Sequence, residues 1–187
     1  MPNKKSLFLI VNLLVITALF YGCSARLSKM AEEQDSSDTA LLFGYIDMKD
    51  APSNLESVNL RQSPPRSSDP NIPMRADDEG LFYRENVPKG SYSLSTFGGR
   101  GWTLGFLSFG KERYYYTFPD EGFKYKKFNL TKTGLVFLGS YKMNKVKSKY
   151  EFVDAGSPTE KELLTKLLAY TAGTKWEKVI KNRLKQL

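Results

Sequence analysis

The chain has no histidine and a single cysteine, Cys23. One cysteine cannot close a disulfide within the chain. Without histidine or a cysteine cluster, the zinc sites built from those ligands are excluded. Ser-His-Asp and Cys-His catalysis are excluded on the same ground, which leaves carboxylate, lysine, serine and tyrosine chemistry. Tryptophan is scarce, with two residues against 11 tyrosines and 12 phenylalanines. That balance favours strands, because these rings fit a pleated, half-buried surface. Long apolar runs are missing as well. The longest, Leu7–Tyr21, is interrupted by Asn12 and Thr17, and it falls short of the roughly 20 residues a membrane-spanning helix needs. Gly98, Gly99 and Gly101 lack the spacing of a dinucleotide-binding loop. No RNA-binding or helix-turn-helix signature is present, so a nucleic-acid partner is not expected.

What is present begins with charge. The chain of 187 residues carries a formal charge of +8. Removing residues 1–22 takes away Lys4 and Lys5 and no acid, leaving 26 basic against 20 acidic residues, a charge of +6. A basic surface of this size is ordinary for a solvated domain and is also compatible with anionic partners.

The N-terminus reads as an address. Two lysines precede the apolar stretch, and Gly22 and Cys23 follow it, the layout of a secretory signal with a small residue at the cut. Leu19-Phe20-Tyr21-Gly22-Cys23 resembles the lipobox of bacterial lipoproteins. Phe20 and Tyr21 depart from its usual Leu and small residue, as in the permissive lipoboxes of spirochaetes. The resemblance implies cleavage before Cys23, a diacylglycerol on its thiol and acylation of the new amino terminus. Several buried acyl chains, at about 0.8 kcal/mol per CH₂, hold a domain stably on a membrane. Ser24 follows, and by the same resemblance the absence of Asp there permits export to the outer membrane. The expectation is therefore a signal peptide over 1–22, a lipid on Cys23 and a polar tether over 23–39.

Residues 40–154 punctuate as strands and turns. Ala40–Ile46, Ser57–Arg61 and Leu81–Arg84 are short strand candidates. Gln62–Pro73, with four prolines, reads as an exposed loop. Asp77-Asp78-Glu79-Gly80 is a turn, and it lacks the spacing of a defined calcium loop. Between Ser91 and Thr96 the residues alternate, with Tyr92, Leu94 and Thr96 on one face and Ser91, Ser93 and Ser95 on the other. This hydroxyl face is a candidate binding surface. Gly98, Gly99 and Gly101 read as a flexible connection. Trp102–Phe109, Tyr114–Phe118, Phe123–Leu130, Leu135–Met143 and Tyr150–Val153 complete the strands. Lys124, Lys126 and Lys127, set among aromatics, read as protection of a sheet edge.

The order Asp77, Gly80, Phe82, then Val87-Pro88, Gly90, Tyr92 and Leu94 resembles the carboxypeptidase regulatory-like domains. The likeness covers about residues 40–100. It implies an antiparallel, prealbumin-like β-sandwich, a module with no catalytic set to carry over. Residues 155–187 add two amphipathic helices. Ser157-Pro158-Thr159-Glu160 reads as a capping box with proline at the first helical position, followed by Leu163, Leu164, Leu167 and Leu168. Thr174-Lys175-Trp176-Glu177 reads as a second box, followed by a Trp176, Val179, Ile180, Leu184, Leu187 stripe that should pack on the sheet.

These readings lead to a mainly β, non-enzymatic envelope module, held to a membrane by Cys23 and either binding a protein or a glycan or supporting an envelope assembly. No catalytic residue, cofactor or metal is expected. A carrier of a lipid or small apolar ligand would instead need an open apolar cavity. A carboxylate-dependent glycan enzyme would need two acids facing each other about 5–10 Å apart.

Overall fold

A computed structural model describes residues 38–63, 71–104, 109–118, 127–147 and 149–187. The expected signal peptide, Cys23 and nearly all of the tether lie outside them, as do Lys124 and Lys126.

The described chain is mainly β, with two C-terminal helices. The strands are β1 (Thr39–Asp47), β2 (Ser57–Gln62), β3 (Ile72–Ala76), β4 (Leu81–Pro88), β5 (Gly90–Leu104), β6 (Phe109–Thr117), β7 (Lys127–Leu130), β8 (Gly134–Val146) and β9 (Lys149–Asp154). They hydrogen-bond in the order β6-β5-β2-β3-β4-β1-β8-β9, with β7 also paired to β5. The expected antiparallel pairing holds among the described strands except between β1 and β8. β1 is antiparallel to β4 but parallel to β8. Nor are there two separate sheets, because β3 pairs with both β2 and β4 and makes one curled sheet.

The curl brings the two halves face to face. Phe97 of β5 packs at a tilt against Phe118 and against Phe152 of β9, with ring centroids 4.8 and 5.3 Å apart. Leu42, Ile46, Val58, Leu60, Phe82, Tyr92 and Leu94 complete this inner core. Ring pairs in tilted arrangements add to what their burial alone contributes.

β1 is buried on both faces. Its alternate residues Leu41 and Phe43 turn outward into a second core with Leu81, Tyr83 and the helices. Two buried faces explain why ALLFGYI reads as a continuous apolar run. Helix α1 (Glu160–Tyr170) supplies Leu163, Leu164 and Leu167, and α2 (Lys175–Leu184) supplies Trp176 and Ile180. The expected packing on the sheet holds for Trp176, Ile180 and Leu184, while Val179 and Leu187 of the same stripe are exposed. The first cap lies two residues later than expected. Thr159 is the N-cap and forms the box with Glu162, so Pro158 precedes the helix.

Three further expectations are corrected. The proline-rich stretch ends inside β3, because Ile72 and Pro73 pair with β2. The Pro73 carbonyl accepts from Arg84 on the β4 side. In an antiparallel strand a residue's N and C=O point the same way, so the missing N–H faces away from β2 and the ladder loses nothing. Thr96 is not on the core face. A bulge opposite Asn59 and Leu60 inserts one residue into β5, which sends Phe97 inward and Thr96 outward. There Thr96 Oγ1 accepts from Asn59 Nδ2 at 2.9 Å. Finally, Gly98, Gly99 and Gly101 are part of β5, paired with β6 along their length.

Candidate functional site

Two of the three glycines place a loop against a strand, while Gly98 faces the Tyr114 carbonyl of β6. A Cβ on Gly99 would lie 2.0 Å from the Asn54 carbonyl oxygen, and one on Gly101 would lie 1.8 Å from that of Pro52. Only glycine lets the β1–β2 loop come this close to β5. Leu55 and Ser53 are buried beneath that loop.

The loop, the second half of β5 and the β3–β4 turn enclose an open cleft of about 640 Å³. It is lined by Tyr45 and Asp47 at the end of β1, by Lys49, Asn54 and Glu56 of the loop, and by Arg100 and Trp102 of β5. Asp78 and Glu79 of the turn, Lys111 of β6 and Lys166 of α1 line it too, together with Met48, Ala51, Pro52, Ser53 and Gly101. Gly80, at φ +103°, closes the turn, and Asp77 Oδ1 accepts from the Leu81 N–H at 2.8 Å. The turn is fixed from the helix side as well. Lys166 donates to Glu79, and the Tyr170 hydroxyl donates to Asp77 Oδ2 at 3.0 Å.

The lining is mixed, with charged groups set beside the apolar surface of Met48, Ala51, Pro52 and Trp102. Trp102 stands in it 62% exposed, with the Lys111 ammonium 5.2 Å from its ring centroid. Arg100 Nε sits 3.0 Å from both carboxylate oxygens of Glu56. The hydrogen bond from Lys166 holds the Glu79 carboxyl below its ordinary pKa. Burial foremost, then the Asp47 carboxylate, pushes the Tyr45 phenol up.

Four acids therefore line the cleft, and the chemistry of two is visible. Glu56 is engaged by Arg100. Glu79 is held ionised by Lys166, the opposite of the raised pKa a general acid requires. An apolar cargo finds no match here, and the space between the sheet halves is filled by the aromatic core. Among the described residues no group of three or more His, Cys, Asp or Glu is placed to hold a metal ion. No helix among them is long and apolar enough to cross a membrane.

Sequence reasoning located parts of this site without assembling it. The turn Asp77–Gly80 was found as a turn, and the structure makes it one wall of the cleft. Ser91 and Ser93 lie on the outer face of β5, beyond the cleft. Trp102 passed as one residue of a strand. Its signal was rarity, one of two tryptophans, next to a glycine run that had another explanation.

No protein-family model matches the chain, and no curated protein matches it. Two solved structures of bacterial, β-rich proteins are similar in part. One is a candidate carbohydrate-binding protein of Pseudomonas aeruginosa, 14% identical, with a TM-score of 0.32 over 59% of this chain and 95% of that one. The other is a DUF3823 family protein of Parabacteroides merdae, 13% identical, with a TM-score of 0.28 over 64% of this chain and 60% of that one. Likenesses this distant carry no argument about function.

Proposed function

We propose that the chain is a non-enzymatic, lipid-anchored envelope module that binds a glycan in the Trp102 cleft. The observation that carries this reading is Trp102 itself. A large aromatic ring left 62% exposed in a cleft of charged and amide groups is the surface a sugar ring requires. Its apolar face takes C–H groups, and the surrounding polar groups take hydroxyls. Two of the four cleft acids are already engaged, Glu56 by Arg100 and Glu79 by Lys166, which supports binding as the role of the cleft.

The anchor is Cys23, acylated after removal of residues 1–22, and the membrane is the outer membrane. β1 is the first strand after the expected tether. The strand begins at Thr39, where the tether joins, and ends at Asp47 in the cleft wall. At about 3.3 Å per residue, its far end lies roughly 25–30 Å from Thr39. Domain limits follow, with the β module over 40–154 and the helical segment over 155–187. The curled sheet is read as a variant of the prealbumin-like sandwich, supported by the packing of Phe97 on Phe152 across the two halves.

Two experiments test the reading. The full-length chain, run in native gels containing a panel of polysaccharides, should be retarded by at least one of them, and Trp102→Ala should abolish that retardation. Equal retardation of the variant removes the cleft as the site, and release of reducing ends from a retained polymer replaces binding with hydrolysis. Metabolic labelling with a fatty acid should mark the wild type and not Cys23→Ala. Label retained by the variant refutes lipidation.

A further inference from the structure

The four strands β2, β5, β6 and β7 contain five cations and one acid, Glu112. Strand parity separates them. Arg61 lies opposite Ser93, Lys127 opposite the same serine, Lys111 opposite Trp102, and Arg113 opposite Arg100. Residues directly opposite one another share a face, and Tyr92, Leu94 and Phe97 occupy the inner one. All five cations therefore project from the outer face. Glu112 lies opposite Gly101, on the other parity.

Arg100 and Arg113 form a like-charged cross-strand pair, which costs stability. Glu56, just before β2, pairs directly with Arg100 and acts on Arg113 only from beyond ion-pair distance. Arg113 donates to the Tyr115 hydroxyl at 3.1 Å, and no ion pair is formed by Arg113 among the described residues. Tyr115 is 66% exposed and lies opposite Gly98, four residues along β5 from Trp102. Two exposed rings thus flank an arginine pair, roughly 13 Å apart along the strand. A second hollow of about 200 Å³, lined by Glu56, Ser57, Gly99, Arg113 and Tyr115, adjoins the cleft. Glu56 is common to both.

We infer that the ligand of this surface is an anionic polysaccharide, lying from Trp102 across Arg100 and Arg113 to Tyr115. The inference rests on the glycan reading of the cleft and adds the charge of the ligand. The rings take two sugar faces, and the acidic group between them meets Arg113. A guanidinium suits this role, because it binds carboxylate, sulfate or phosphate in two parallel hydrogen bonds. The hydroxyls and amides of Ser91, Ser93, Asn59 and Asn129 continue the face beyond Tyr115.

The test uses the full-length chain in native gels containing polygalacturonate, its methyl-esterified neutral form, chondroitin sulfate, or single-stranded DNA. Retardation is expected with an acidic polysaccharide, at least tenfold less with its neutral form, and at least tenfold less with Arg113→Gln. Tyr115→Ala should weaken it too. Preference for the carboxylated or the sulfated polymer names the acidic group, and either supports the inference. Equal retardation by the neutral ester, with Arg113→Gln inert, overturns the inference and leaves the glycan reading standing. No retardation by any polysaccharide overturns both. Equal retardation by single-stranded DNA, insensitive to Trp102→Ala, overturns both in favour of general polyanion binding.

Discussion

The outer face of the sheet divides into two halves of opposite character. Over β1, β4 and β8 the outward side chains include Leu41, Phe43, Leu81, Tyr83, Leu135 and Phe137, and two helices cover them. Over β2, β5, β6 and β7 they include Asn59, Arg61, Ser91, Thr96, Arg100, Arg113 and Asn129, and no described element covers them. The backbone is the same pleated sheet in both. The first half contributes to stability because its groups leave water, at about 25 cal/mol per Å² of apolar surface. The second contributes little to stability, because its groups stay solvated and the ion pair of Arg100 with Glu56 is half exposed. What it keeps is a stiff array of hydrogen-bonding groups and two exposed rings. Folding energy is carried by one half of the surface, and the proposed recognition by the other.

That division sets an order of expected effects. Leu167→Ala, at a fully buried contact between helix and sheet, should cost about 2–5 kcal/mol in denaturant unfolding. A cost below ~1 kcal/mol would mean the helices are not part of the cooperative unit. Gly101→Ala should cost about 1–3 kcal/mol, because the new methyl meets the Pro52 carbonyl and neither backbone can yield freely. It should also weaken glycan retention by moving the cleft wall. Unchanged stability together with unchanged retention would show that the loop does not depend on that close approach. Thr159→Ala, which removes the cap of α1, should cost about 1 kcal/mol.

The acid limb gives a smaller and more diagnostic effect. Glu79, Glu162 and Glu177 are each held below the ordinary carboxylate pKa, by Lys166, by the Thr159 backbone N–H and hydroxyl, and by Lys181 with the Gly173 N–H, respectively. A depressed folded-state pKa gives stability that is present above the unfolded value and lost as pH falls through the folded one. Stability should therefore decline below about pH 4–5, and Glu79→Gln with Glu162→Gln should flatten that decline. An unaltered acid limb in the double variant would assign the decline to other carboxylates. Least affected should be Trp102→Ala and Tyr115→Ala, each within about 0.5 kcal/mol of wild type, since neither ring is buried. A larger loss from either would erase the contrast between the halves.

Much of the fold was legible where periodicity is uninterrupted. β1, β2, β8, β9 and both helices lie close to where their apolar residues predict. The failures occur where one residue changes the parity. Alternation through Thr96 put it in the core, and a single bulge reversed it and brought in Phe97. Three glycines suggested a flexible link, yet their role is to admit a neighbouring backbone, which no local pattern reveals. The site was less legible than the fold. Glu56, Glu79, Trp102 and Lys166 come from a loop, a turn, a strand and a helix, and no sequence spacing relates them.

The sequence by itself determined what chemistry is open to this protein. The absence of histidine and of a second cysteine excludes whole catalytic classes, because those reactions need particular atoms. It also determined that strands and two capped helices form, since alternation, turn residues and caps act over a few neighbours. Only the tertiary structure decided that β1 lies parallel to β8, that the sheet is one curled surface, and that Trp102 stands beside Arg100 and Lys111. Those facts depend on which strands meet, and that is settled by burying Phe97 against Phe152 and Leu41 against the helices, contacts between residues far apart in the chain.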